Sequence, residues 1–227
     1  NVTNVESIVV KNANGGDTAG SENADAISIT MGAVANNSTD NADIAMAIDA
    51  SVITDTNDIA TISAAAVLDP DNVFTITGGA AGDTLTGAAG ADTIIGGGGA
   101  DTINGDGGAD TLTGGSGADD FVISIASGVS DSNNAAADTI TDFTSGSDEI
   151  VVTLTPNDTN TYDFTNKGNA ADNANALALL SSVRGQYYFN TSTGQYVMDT
   201  DGNGLVQSGD LAVTTGGSAG AAADVAI

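Results

Sequence analysis

Residues 78–122 read GGAAGDTLTGAAGADTIIGGGGADTINGDGGADTLTGGSGADDFV, and written in nines they fall into register as GGAAGDTLT, GAAGADTII, GGGGADTIN, GDGGADTLT and GGSGADDFV. Position one is always Gly, position six always Asp (Asp83, Asp92, Asp101, Asp110, Asp119), and position eight always large and apolar (Leu85, Ile94, Ile103, Leu112, Phe121). A fixed internal period is the architectural signal to honour first. Each unit offers one apolar side chain, so a single unit can bury nothing and units must stack. A short strand around position eight followed by a Gly-rich turn makes half a coil, and two consecutive units close one full turn. Glycine at the turns permits backbone conformations with positive φ. The expected fold is all-β, a right-handed parallel β-roll or β-helix.

Stacking places aspartates of alternate units on the same edge of successive turns, separated by one inter-strand spacing of about 4.8 Å. Unneutralised, the pairs Asp83 with Asp101, Asp92 with Asp110, and Asp101 with Asp119 repel. A divalent cation between the members of a pair turns repulsion into a cross-link, and hard cations prefer such carboxylate and carbonyl oxygens. Folding is therefore expected to depend on metal.

Composition agrees. The chain of 227 residues carries a net charge of −27, with only Lys11, Lys167 and Arg184 basic, and all but Glu6, Glu22 and Glu149 of its 30 acidic residues are aspartate. Such a charge argues against nucleic acid and anionic membrane surfaces as partners and for cations. Hydrophobic residues make up 41% and aromatic ones 4%, so the core is expected to be thin and aliphatic. With no Cys and no His, disulfides, thiolate sites and the commonest general base are excluded. No apolar run approaches the roughly 20 residues that span a bilayer, and no basic-then-apolar leader opens the sequence.

Around the repeat, VESIVVKN, DAISIT, SVITDTNDIATIS and NVFTIT read as short strands separated by Asn/Gly/Asp turns. Residues 36–50 read either as helix, from ADIAMAIDA, or as an irregular rung of a stacked β structure. After the repeat, DTITDFTSGSDEIVV (138–152) reads as a hairpin or a pair of strands, NAADNANALALLSSV (169–183) as one short helix, and QYYFNTSTGQYVMD as two strands and a turn. The expected divisions are a β-rich region of irregular rungs at 1–77, the roll at 78–122, and a capping region at 123–227.

The pattern GGxGxDxUx, where U is large and apolar, resembles the RTX nonapeptide repeat of hemolysin-type calcium-binding proteins. In that family Ca²⁺ sits between successive turns of the roll, held by carbonyls of positions two and four with the Asp of the first turn, and by carbonyls of positions one and three with the Asp of the second. The resemblance implies three sites here. One takes Gly79, Ala81 and Asp83 with Gly96, Gly98 and Asp101; a second takes Ala88, Gly90 and Asp92 with Gly105, Gly107 and Asp110; a third takes Gly97, Gly99 and Asp101 with Gly114, Ser116 and Asp119. Ala81, Ala88 and Asp106 depart from the pattern, each standing where the family has Gly. DTITDFTSGSDEIVV is similar to the segment that caps such rolls, and the DVAI ending to the C-termini of type I secretion substrates, whose uncleaved C-terminal signal replaces an N-terminal one.

A second calcium motif is Asp199, Asp201, Asn203 and Gly204, then Leu205 and Asp210. Oxygen donors at positions one, three and five, a turn Gly at six, a carbonyl at seven and a carboxylate at twelve fit an EF-hand-like loop; the competing reading is an Asx-rich turn. No catalytic constellation is present, because the aspartates fall at turn spacing with no aromatic platform and no adjacent base. Tyr187, Tyr188, Phe189 and Tyr196 read as the core of a capping hairpin.

Two functions follow as expectations. One is a non-enzymatic calcium-binding structural protein, secreted by bacteria to the cell surface and similar to RTX-bearing S-layer proteins. Its expected partners are further copies of itself and cell-surface polysaccharide. The other is the C-terminal secretion and folding module of a type I secreted enzyme or toxin.

Overall fold

The computed structural model describes residues 7–9, 26–32, 45–126, 129–130, 135–154, 166–170, 186–200, 211–216 and 225–226. The chain divides into two compact units, Asn1–Asp120 and Phe121–Ile227. No helix occurs among the described residues.

In the first unit the strands are β1 (Ser7–Val9), β2 (Ala26–Thr30), β3 (Ala45–Asp49), β4 (Ile59–Ser63), β5 (Val73–Thr77), β6 (Thr84–Thr86), β7 (Thr93–Gly98), β8 (Thr102–Asn104) and β9 (Thr111–Ser116). From β2 onward they alternate between two sheets, ordered β1-β3-β5-β7-β9 and β2-β4-β6-β8. Every pairing is parallel. A chain that visits two parallel sheets in turn is a parallel β-roll.

One apolar residue per rung builds its core. Ile48, Ile76, Ile94 and Leu112 are register neighbours in one sheet, and Ile62, Leu85 and Ile103 in the other. All are buried, each contributing about 1.5–3 kcal/mol relative to exposure. The ADIAMAIDA segment resolves as strand β3, with Met46 and Ile48 buried and Ala45, Ala47 and Asp49 more accessible. That alternation has period two, and pairing with Val73–Thr77 overrides the helical preference of alanine.

The rungs before the repeat belong to the same roll and differ from it in turn length. Ser7 is in register with Ala47, Ala26 with Ile59, Ala45 with Val73 and Thr61 with Thr84, so the chain between partners shortens at each step. From the pair Thr75 and Thr93 onward the interval is constant at two nonapeptides. The longer turns close on short aspartate side chains: Asp49 accepts from the Ser51 N–H at 2.9 Å, Asp55 from Asn57 at 3.0 Å and Asp69 from Asp71 at 3.2 Å.

The second unit contains β10 (Asp120–Ala126, which begins on the last residue of the first unit), β11 (Val129–Ser130), β12 (Asp138–Ile140), β13 (Glu149–Leu154), β14 (Asn166–Ala170), β15 (Gln186–Asn190), β16 (Gln195–Asp199), β17 (Leu211–Thr215) and β18 (Val225–Ala226). Its sheets run β12-β17-β16-β15-β14 and β10-β13-β18, with β11 on β10. DTITDFTSGSDEIVV forms two strands in different sheets and no hairpin: β12 pairs with β17, and β13 with β18. The expected QYYFN/QYVMD pair is the antiparallel hairpin β15/β16. Of the segment expected to be helical, Asn169 and Ala170 lie in β14, parallel to β15, and the remainder falls outside the described residues. Tyr187, Tyr188, Phe189 and Tyr196 are buried; Tyr196 stacks edge-on against Phe189 at 5.1 Å and Phe143 at 6.5 Å.

Candidate metal centre

Each repeat aspartate uses one oxygen identically. Oδ1 accepts a main-chain N–H from the preceding turn of the roll: Asp83 from Ala60 at 2.7 Å, Asp92 from Phe74 at 2.7 Å, Asp101 from Asp83 at 2.7 Å, Asp110 from Asp92 at 2.8 Å and Asp119 from Asp101 at 2.9 Å. All five carboxylates are buried. The invariant glycine at position one follows from this arrangement. A Cβ on Gly78 or Gly87 would stand 2.5 Å from Oδ2 of Asp83 or Asp92, and one on Gly96, Gly105 or Gly114 would run into Asp101, Asp110 or Asp119. Position one is glycine so that the carboxylate can lie against the backbone.

Positive φ within the repeat is confined to positions two and four, and only in later units: Gly97 (112°) and Gly99 (100°), Asp106 (68°) and Gly108 (122°), Gly115 (100°) and Gly117 (149°). None of Gly79, Ala81, Ala88 or Gly90 has it. Asp106, the departure in the fourth unit, is a residue type that tolerates the left-handed region, and its N–H donates to Asn104 Oδ1 at 3.0 Å.

The second carboxylate oxygen differs between the two kinds of turn. In the first two units the N–H of position two donates to it: Gly79 to Asp83 Oδ2 and Ala88 to Asp92 Oδ2, both at 2.6 Å. In the third unit Gly97 is left-handed, and Asp101 Oδ2 is buried with no hydrogen-bond partner. A buried carboxylate oxygen without a donor is costly. Asp101 responds accordingly: burial pushes its carboxyl up to about 7, the Asp83 N–H pulls down, and the Asp119 and Asp83 carboxylates push further up. Burial likewise raises Asp92 to about 6, opposed by the N–H groups of Phe74 and Ala88 and reinforced by Asp106, itself raised by burial. Once Asp101 loses its proton, a cation would supply the positive partner that no N–H provides.

The remaining oxygens at that edge belong to the backbone. Among the described residues no three acidic side chains converge to hold a metal, so carbonyls must complete any ligand set, as the glycine-rich turns allow. Gly79 O accepts from Gly98 N at 3.0 Å, Ala88 O from Gly107 N at 2.9 Å and Ser116 O from Gly99 N at 2.9 Å; each carbonyl retains a second lone pair. Gly90 packs close to the carbonyls of Pro70 and Asn72, and Ala81 is buried. The register sets Gly97 beside Gly115 and Gly98 beside Ser116. Gly96, Gly105 and Gly114 sit against their own aspartates, and Gly99 stacks on Ala81. Of the EF-hand-like loop, Asp199 is buried at the end of β16; Asp201, Asn203, Leu205 and Asp210 lie outside the described residues.

Sequence reasoning did not reveal that the turns come in two conformations, nor that a third example of the N–H-closed kind stands outside the repeat, where Thr144 N donates to Asp148 Oδ2 at 2.7 Å. The available signal was the Ala at position four of the first unit and at position two of the second, since a Cβ disfavours positive φ.

No curated protein matches the chain. The RTX calcium-binding nonapeptide repeat, in four copies, matches residues 77–112 and, in an overlapping window, 86–121. That repeat is a structural module that binds Ca²⁺, and proteins carrying it are typically secreted by bacteria. Five units in register, a parallel roll, the aspartate ladder along its edge and this match identify residues 77–121 as RTX calcium-binding nonapeptide repeats.

Proposed function

We propose that the protein is an extracellular structural component that folds on Ca²⁺ and then associates with further copies into a surface layer, sheath or fibre. The observation that carries the calcium step is the buried Asp101 Oδ2 with no hydrogen-bond partner, in turns that are left-handed at Gly97, Gly99, Gly115 and Gly117. Gly97, Gly99 and Asp101 with Gly114, Ser116 and Asp119 would hold the ion, which supplies positive charge to that edge. Calcium is scarce inside cells and abundant outside, so a chain with this requirement completes its fold after export, by the type I route that the RTX repeats suggest.

Two features support association. Among the described residues β1 and β2 each have a neighbour on one side only, and such edges are templates for further pairing. A chain of net charge −27 repels its copies until cations neutralise it, which makes calcium a condition for assembly as well as folding. Light scattering during calcium addition to the purified chain tests this: growth to large particles, reversed by chelator, is expected. A calcium-loaded chain that stays monomeric would instead favour the folding module of a secreted enzyme or toxin.

A further inference from the structure

We infer that the first two repeat units hold no calcium and are instead a main-chain-closed adaptor, joining the rungs before the repeat to the calcium-requiring turns after it. The inference rests on the calcium reading above and sharpens it, because it separates aspartates that the repeat pattern treats as equivalent.

Asp83 and Asp92 have both oxygens committed to main-chain donors. Oδ2 takes the N–H four positions back, from Gly79 and Ala88, and Oδ1 takes Ala60 N and Phe74 N. Ala60 and Phe74 belong to β4 and β5, outside the nonapeptides. The same turns are tied to non-repeat loops at position three, where Ala80 N donates to Ile53 O at 2.9 Å and Ala89 N to Val67 O at 3.2 Å. Every positive partner that a cation would offer these carboxylates is thus already supplied by the chain.

What prevents these turns from opening is the alanine methyl. An open turn needs left-handed backbone at positions two and four, as at Gly97 and Gly99. Ala81 occupies position four of the first unit and Ala88 position two of the second, and both are buried; a Cβ there disfavours positive φ by about 1–2 kcal/mol. Without the flip, the N–H of position two keeps pointing at the carboxylate. Thr144 and Asp148 make the same closure, so it is a recurrent device of this chain. The change to open turns comes at the third unit, where Asp101 Oδ2 is buried and lacks a hydrogen-bond partner.

Residues 45–95 should accordingly hold their structure in chelator and offer a preformed end on which the later turns order when calcium arrives. Hydrogen exchange followed amide by amide on the full chain, in excess chelator and in excess Ca²⁺, tests this. The amides of Ala60, Phe74, Gly79 and Ala88 are expected to change protection by less than about tenfold between the two conditions, and those of residues 98–119 by about a hundredfold or more. Loss of protection at all four donors in chelator, with calcium uptake intact by equilibrium dialysis, would overturn the adaptor while leaving calcium binding standing. Equal protection of all these amides in both conditions, with no uptake, would overturn both.

Discussion

Replacing Asp101 by asparagine is expected to stabilise the calcium-free protein by about 1–3 kcal/mol and to abolish its stabilisation by calcium. The amide keeps an oxygen for the Asp83 N–H, held at 2.7 Å by the native carboxylate, and removes the buried charge that has no donor at Oδ2. The sign follows from linkage. A carboxyl raised to about 7 by burial binds its proton more tightly in the folded state than in the unfolded chain, whose value is about 3.9. That contribution is fully present below the unfolded value and is lost as pH rises through 7, so native Asp101 opposes calcium-free folding at more alkaline pH. Calcium reverses the balance; at free calcium about a thousand times Kd a single site adds about 4 kcal/mol. Asp101→Asn lacks both the pH dependence and the calcium increment. Denaturant unfolding at pH 8 and pH 5, with calcium and with chelator, reads both, and a variant that still gains stability from calcium would remove Asp101 from the site.

The second large effect is at Gly99. Its φ is 100°, and an added Cβ would run into the Ala81 carbonyl carbon and the Gly82 nitrogen on the preceding turn. Strain and overlap add, so Gly99→Ala is expected to cost about 3 kcal/mol or more in calcium. Two controls separate the contributions. Gly146 is also left-handed, at 82°, but has open space around it, so Gly146→Ala carries the conformational cost alone, about 1–2 kcal/mol. Gly32 has open space and no left-handed φ, and Gly32→Ala should fall within about 0.5 kcal/mol of the parent. If all three variants were alike, close stacking of the turns would not describe the protein in solution.

The roll itself was legible because one property repeats without exception: the apolar residue at position eight, buried in every unit from Leu85 to Phe121. Strand β3 was ambiguous because alanine and isoleucine in ADIAMAIDA satisfy both periods, and only pairing with Val73–Thr77 decides between them. The early segments were legible as irregular rungs, but their register was not, since turns that shorten at every step from the Ser7–Ala47 pair to the Thr75–Thr93 pair have no period until the pairing is known. Glycine was read for its freedom in φ. That holds at Gly97 and Gly99, but at position one the reason is the approach of a carboxylate to the backbone, as between Gly96 and Asp101. The equivalence of the aspartates was the natural reading of a repeat; the hydrogen bonds of Asp83 and Asp92 to Ala60 and Phe74 depend on neighbours outside it.

If calcium completes this fold, far-ultraviolet circular dichroism of the full chain, titrated with Ca²⁺ from a chelator-buffered start, records it most directly. The expected record begins with a partial strand spectrum, from the rungs that need no metal, and gains strand signal to saturation as calcium is added. An identical, fully formed spectrum at every calcium concentration would contradict it.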